Sequence, residues 1–449
     1  MDMERNIRLG GFFILGASNI KGEKQMSTSD AKTEYNSRVK RVMTAAANKE
    51  PDRVPIMPGM MPFAINYYGH TMAEVTYNAH LGIDIALRFL EEFKPDSAMG
   101  FYSGEGSGPI NELSRPKNSA WPGAPDKRVP DNSYHQFIEF PVLLEEEMDF
   151  FERDYTGWTL QKAFPRVSGI MDPFADWNTS ELEFNMGVGM LAAQLSRPEM
   201  RKSIETLWKI NDMYNEIRKV QADGMSKMEE MGFPSFGAAG LGGAVPFDSY
   251  SDFYRGTIES MMDMYEHRDF IERFIDERIV RTLARMKTAA NDNAHLKDRK
   301  WGHLILHKGM DSFMNEEQYA NLYWKHLRMM INEITSAGFK CYVYTEGPYT
   351  SRLDHLTEVD KNMVVYHFEE VDLKLAKQKL GDMACIAGGF PAWIVEQGKK
   401  QQVIDEVKRV LDICAPGGGY IFEGGYSFGE APIENVMAMF ETVLEYGKY

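Results

Sequence analysis

Along the 449 residues, the side chains able to carry chemistry fall at the ends of short apolar runs. They are His307-Lys308, Tyr344-Thr345-Glu346, His367 with Glu369, and Glu423 ahead of Gly424-Gly425-Tyr426; one further run ends in Gly388-Gly389. Imidazole nitrogen and carboxylate oxygen are donors that Zn2+ accepts, with one position left open for substrate. The same groups serve as general acids and bases. His307, Glu346 and His367 form the candidate metal set. Glu423 is a further candidate, because a carboxylate closing an apolar run needs a partner or a cation. Each has a plainer explanation. A lone histidine at a strand end is a satisfied core residue about as often as a ligand, and Glu346 ahead of Gly347-Pro348 can simply accept loop N–H bonds. What favours chemistry is placement: surface charge would scatter over helices instead of closing one apolar run after another.

Those runs alternate with amphipathic helices. Helices are expected over 38–48, 71–93, 196–231, 268–292, 315–337, 399–413 and 432–446. Strands are expected over 54–58, 97–102, 302–307, 341–346, 363–368, 384–388 and 419–423, with a Gly/Ala-rich strand and loop over 233–247. Nearly continuous apolar runs are the mark of strands buried on both faces, and strand–helix alternation calls for parallel pairing with right-handed crossovers. No G-x-G-x-x-G opens a helix after the first strand. With about eight strands, an α/β fold of the (β/α)8 TIM-barrel type is favoured over an open doubly wound sheet. In such a barrel the C-terminal strand ends face the active site. The helix at 38–48 is an N-terminal extension, and residues 110–170, rich in Pro, Trp and charge, are expected as an insertion over the barrel mouth. Residues 1–35 are expected as a flexible leader and 36–449 as a single domain.

The balance of 50 basic against 66 acidic residues gives a net charge of −16. That excludes nucleic-acid and anionic-membrane partners, which would repel the chain, and leaves a homodimer open. The three cysteines, Cys341, Cys385 and Cys414, form no CxxC pair, as suits a reducing, cytoplasmic setting. The apolar stretch at 10–17 is too short to span a bilayer. It lacks a small-x-small cleavage site, and Met26 is an equally good start. The 30 methionines are adaptable core filler, with an anaerobic lifestyle as the second reading. The loop Gly104-Glu105-Gly106-Ser107-Gly108 is a turn and not a phosphate cradle, since no Lys-Ser/Thr follows. Asp248, Asp252 and Asp263 are explained by capping and solvation, and no G-x-S-x-G elbow supports a serine nucleophile.

Three stretches resemble uroporphyrinogen-decarboxylase-like proteins: Asn48-Lys49-Glu50-Pro51-Asp52-Arg53-Val54-Pro55; Phe247-Asp248 with Tyr254-Arg255-Gly256 and Met262-Asp263-Met264; and the closing Gly418-Gly419-Tyr420-Ile421 with Pro432-Ile433-Glu434-Asn435-Val436-Met437-Ala438-Met439. The resemblance runs from about residue 36 to the end and implies a (β/α)8 barrel. That superfamily holds metal-free decarboxylases of porphyrinogens and zinc-dependent methyltransferases that work with corrinoid proteins. The arginine motif of the decarboxylases has no match after Pro58. The His-x-Cys and later Cys of the thiol-directed methyltransferases are replaced here by Tyr344-Thr345-Glu346 and Glu423-Gly424-Gly425-Tyr426.

The chain is more similar to the ether-cleaving type, in which a Glu and a His separated by twenty residues bind zinc; Glu346 and His367 have that separation. Glu333 is the nearest equivalent of that pattern's upstream Glu, but it falls at the wrong end of the barrel, and His307 is preferred. The resemblance implies transfer of a methyl group from a small-molecule methyl ether, a methoxylated aromatic in the first instance, to the cobalt of a corrinoid (cobalamin) carried by a partner protein. Zn2+ on Glu346, His367 and His307 would activate the ether oxygen. Phe101, Tyr102, Trp121 and Trp158 are candidates for lining a ring pocket. Two alternatives stand beside this: a metal-free decarboxylase or lyase using Lys308, Tyr344 and Glu346, and a non-catalytic corrinoid or small-molecule binding protein.

Overall fold

The computed structural model describes residues 28–57, 59, 61–101, 104–178, 187–424 and 429–449. Six parallel strands lie side by side in chain order: β1 (Ala238–Gly242), β2 (Trp301–Leu306), β3 (Lys340–Pro348), β4 (Val364–Glu370), β5 (Cys385–Gly388) and β6 (Tyr420–Ile421). Single hydrogen bonds complete the circuit. Met57 N donates to Phe422 O at 3.0 Å and Phe422 N to Pro55 O at 2.9 Å; Asp96 N donates to Ile56 O and Ala98 N to Pro234 O, both at 2.8 Å. The segments at 54–57 and 96–99 thus occupy the first two barrel positions without forming ladders. Pro55 cannot donate an N–H, which keeps the first pairing to one bridge, Ile56 with Phe422.

Helices cover the outside: α1 (Thr28–Ala46), α2 (Ala79–Phe93), α3 (Pro198–Glu230), α4 (Arg268–Asp292), α5 (Lys325–Ser336), α6 (Leu373–Leu380), α7 (Lys400–Cys414) and α8 (Ile433–Tyr446). The helix expected over 71–93 is two helices. Asn78 is extended (φ −146°, ψ 96°), and its side chain accepts from His80 N and Leu81 N, capping α2. Helix α1 starts ahead of the expected 38 and enters the segment expected as a leader, with Ala31 buried; the stretch at 10–17 and Met26 lie outside the described residues.

Side chains inside the barrel alternate along each strand. Trp301, Tyr342, Tyr344, Val365, Cys385, Ala387 and Ile421 form one inner cluster, closed at the strands' N-terminal end by Val42, Ala45 and Ala46 of α1. Higher up, the interior opens: Ile305 is 50% exposed. The insertion docks at this open end, where Val142 N and Leu143 N both donate to Tyr254 O, at 2.8 and 2.7 Å. No helix among the described residues is long and apolar enough to cross a membrane.

Candidate active site at the barrel mouth

Register sets the site. Ile305, Tyr344, His367, Ala387 and Ile421 lie level across β2–β6. One inward step further up come His307, Glu346 and Glu369. Gly347 (φ 76°) turns the chain directly after Glu346, and its N–H donates to Glu369 Oε2 at 3.0 Å. Tyr344 OH holds the other oxygen of Glu369 at 2.7 Å.

His307 stands at the rim. Its Nδ1 meets Asp252 Oδ2 at 2.5 Å, and its Nε2 is 3.8 Å from Glu346 Oε1. Lys308 completes the group: its Nζ donates to Thr257 Oγ1 at 2.9 Å and is 3.3 Å from Asp252 Oδ1. Beneath them Asp248 is fully buried, accepting from Lys308 N (2.9 Å), His307 N (3.2 Å) and Tyr323 OH (2.7 Å). Asp252 and Tyr323 each lie on a π turn, Ser251–Arg255 and Tyr319–Trp324, and such turns recur at functional sites. Hydrogen bonding to Asp252, with Asp248, Asp252 and Glu346 as neighbouring charges, raises His307 to about 9. Burial pushes Asp248 up to about 6. Burial, then crowding by Glu369 and Asp252, raises Glu346 as well.

His367 lies one layer deeper and is buried. Its Nδ1 is bonded to Glu423 Oε2, which also accepts from Tyr342 OH at 2.6 Å. The Tyr344 ring stacks on the imidazole with centroids 4.3 Å apart. His367 Nε2 makes no hydrogen bond among the described residues. Gly388 is pressed against that edge: a Cβ there would come within 2.9 Å of Nε2, and its φ is 70°.

The structure therefore brings His307 and Glu346 together and holds His367 apart with Glu423. Among the described residues no three His, Cys, Asp or Glu side chains are gathered as a metal-ligand group. The donors nevertheless suit Zn2+ in kind. Both imidazoles present Nδ1 to a carboxylate, the partnership that fixes ring orientation and leaves Nε2 as the ligand atom, and Glu346 and Glu369 crowd negative charge nearby. Burial pushes Cys414 up to about 12 and raises Cys341 and Cys385 too, so the three thiols are not thiolate donors.

Several expectations change. Asp248, Asp252 and Asp263, taken for capping and solvation, are site and core residues: Asp263 pairs with Arg255 (2.6 and 3.0 Å) and accepts from Tyr250 OH (2.6 Å). The family-like pattern of Phe247-Asp248 and Tyr254-Arg255-Gly256 already marked that region. Glu423 orients His367. His303, two residues before Ile305 on the same inward face, stacks on Tyr342 (4.9 Å) and was legible from strand alternation alone. Trp158 is buried against Phe151 and Tyr254, and Trp121 is buried with Nε1 3.4 Å from Tyr77 OH, so both are packing residues. Phe101 packs against the core, and Tyr102 lies outside the described residues. Glu333 sits in the last turn of α5, which leads into the N-terminal end of β3, away from the mouth.

Residues 242–446 match the model of the uroporphyrinogen decarboxylase (URO-D) family. A methyltransferase from Methanosarcina mazei has a similar structure, with a TM-score of 0.52 and 14% identity, over 91% of this chain and 98% of that one. No curated protein sequence matches the chain. The family match covers the second half of the barrel, and the chain as a whole has an α/β barrel fold that it shares with a methyltransferase.

Proposed function

We propose that the chain is a methyltransferase that takes a methyl group from a methyl ether, a methoxylated aromatic in the first instance, and delivers it to the cobalt of a corrinoid carried by a partner protein. Zn2+ held by Glu346, His367 and His307 would supply Lewis acidity at the ether oxygen, whose alkoxide or phenoxide is otherwise a poor leaving group. The observation that carries the reading is the repeated arrangement of His307 on Asp252 and His367 on Glu423. Two imidazoles with carboxylate-held Nδ1 atoms, and the Glu346 carboxylate beside His307, suit an oxygen-directed site, where sulfur ligands suit thiols.

The chain's own residues have definite tasks. Asp252 and Glu423 orient the rings, Asp248 fixes the backbone of His307 and Lys308, and the insertion covers the mouth. In the transfer the methyl C–O bond breaks and its electron pair stays on oxygen, while the cobalt's pair forms the new bond to carbon. The oxygen then takes a proton, which the Lys308 ammonium at the rim would supply. The acidic surroundings tell against the metal-free alternative, since a polycarboxylate such as a porphyrinogen would meet Glu346, Glu369 and Asp252.

The test is single-turnover methylation of a reduced corrinoid protein from a methoxyarene, followed by cobalt absorbance, with protein stripped of zinc and then reconstituted. Methylation that needs added zinc supports the reading. Equal methylation without zinc removes the metal from it, and decarboxylation of a porphyrinogen by the stripped protein establishes the alternative.

A further inference from the structure

A cavity of about 350 Å3 opens beside the mouth, between α4 and the short helices Met148–Arg153 and Tyr155–Trp158 of the insertion. Its lining shares no residue with the mouth site. The walls are aromatic. Tyr254 lies edge to face with Phe274 (5.0 Å, 71°) and shares a hydrogen bond of 2.9 Å with Tyr155 OH.

The rim is cationic in a chain whose total is −16. Four arginines against two glutamates face the cavity. Arg273 is paired with Glu152 and Arg281 with Glu277. Arg278 and Arg285 pair with no carboxylate among the described residues. Arg278 instead donates to Tyr254 OH at 3.3 Å and lies 5.9 Å from that ring's centroid, and Arg285 donates to Gly242 O. Arg278, Arg281 and Arg285 recur at three- and four-residue steps, so they share one face of α4.

We propose that this cleft is a second binding site, for an aromatic carboxylate. Its ring would lie against Tyr254 and Phe274, and its carboxylate on the Arg278 guanidinium, whose planar fork matches two oxygens. Arg281 and Arg285 add positive potential on either side. The size fits: cavities of roughly 300 Å3 and above hold small organic ligands, with mostly apolar walls and a few polar anchors. The site is independent of the reaction assigned to the mouth, although both share the Ser251–Arg255 turn, with Asp252 on His307 and Tyr254 in the cleft wall.

Titration calorimetry on the full chain tests it with three probes: benzoate, benzamide and inorganic phosphate. Saturable benzoate binding is expected, with benzamide and phosphate each at least about tenfold weaker, because a charge-assisted bidentate contact is worth that much and the ring supplies the rest. Arg278→Gln should weaken benzoate binding at least about tenfold, and Arg281→Gln, on the surface of the same face, at least about threefold. Glu346→Gln should leave it unchanged. Phosphate binding as tight as benzoate would overturn the aromatic-carboxylate assignment, as would loss of benzoate binding in Glu346→Gln. Absence of saturable binding, or wild-type affinity in both arginine variants, would overturn the site.

Discussion

Asp252 Oδ2 sits 2.5 Å from His307 Nδ1, so a residue on the turn after β1 fixes an imidazole at the end of β2. This contact is the main reason His307 is raised to about 9. A histidine whose folded value is raised above its ordinary 6.5 contributes stability that is fully present below pH 6.5 and lost as the pH climbs through 9. In metal-free protein, Asp252→Asn should therefore be destabilised by about 1–2 kcal/mol at pH 6, after allowance for the partial exposure of His307. The difference should shrink toward pH 10, to the part owed to Lys308. Urea denaturation at several pH values measures it; a gap that stays constant with pH would count against the pairing.

Gly388 is held against His367 by shape. Gly388→Ala places a Cβ 2.8 Å from Cε1 and 2.9 Å from Nε2, in a backbone at φ 70°. Gly417→Ala is the control, with φ 81° and nothing within 4 Å. The control should cost about 1 kcal/mol, from left-handed strain alone. Gly388→Ala should cost about 2–4 kcal/mol and also slow turnover, because crowding adds to strain and displaces the ring. Thermal unfolding and activity of both variants check this.

Glu105 is a buried carboxyl packed over Gly82, raised by burial from 4.5 to about 8. With its folded value raised, its favourable contribution is complete below pH 4.5 and lost as the pH rises through 8. Glu105→Gln should match the wild type within about 1 kcal/mol at pH 5 and exceed it by a few kcal/mol, about 5 at most, at pH 9. Parallel stability curves for the two proteins across that range would contradict the burial of the charge.

The Arg255–Asp263 pair is buried on both sides, and Arg255 Nη1 also donates to Leu143 O in the insertion at 2.7 Å. Asp263→Ala leaves a buried guanidinium without its partner and should cost about 3–5 kcal/mol. Because the same arginine anchors the insertion, limited proteolysis near 142–143 should accelerate in the variant. Unchanged cleavage would mean that Arg255 holds Leu143 without Asp263.

The barrel's second half was legible from sequence because α4, α7 and α8 carry long helical patterns between apolar strands, and their bounds fall within a residue or so of expectation. The first half was harder. Pro55 breaks the ladder, Ala98 pairs by one bond, and the break at Asn78 depends on a cap that only local geometry reveals. At the site, strand-end position singled out His307, Glu346 and His367, of which the first two meet at the rim and His367 lies one layer deeper. It did not reveal their partners, because Asp252 and Glu423 are 55 and 56 residues away in sequence from the rings they hold. Asp252 also sits on a short turn where an acidic residue ordinarily means solvation. His303 was passed over although alternation alone marks it as inward, while Trp158 showed that an aromatic residue in an insertion over a mouth can belong to that insertion's own core.

The most direct measurement is the single-turnover rate of methyl transfer from a methoxyarene to the reduced corrinoid partner in wild type, His367→Ala and Glu346→Gln. Each is assayed with zinc present and with zinc content determined on the same sample. Both variants are expected to lose at least about a hundredfold in rate, with bound zinc falling in His367→Ala. Wild-type rates in the two variants would contradict a reaction centred on these residues.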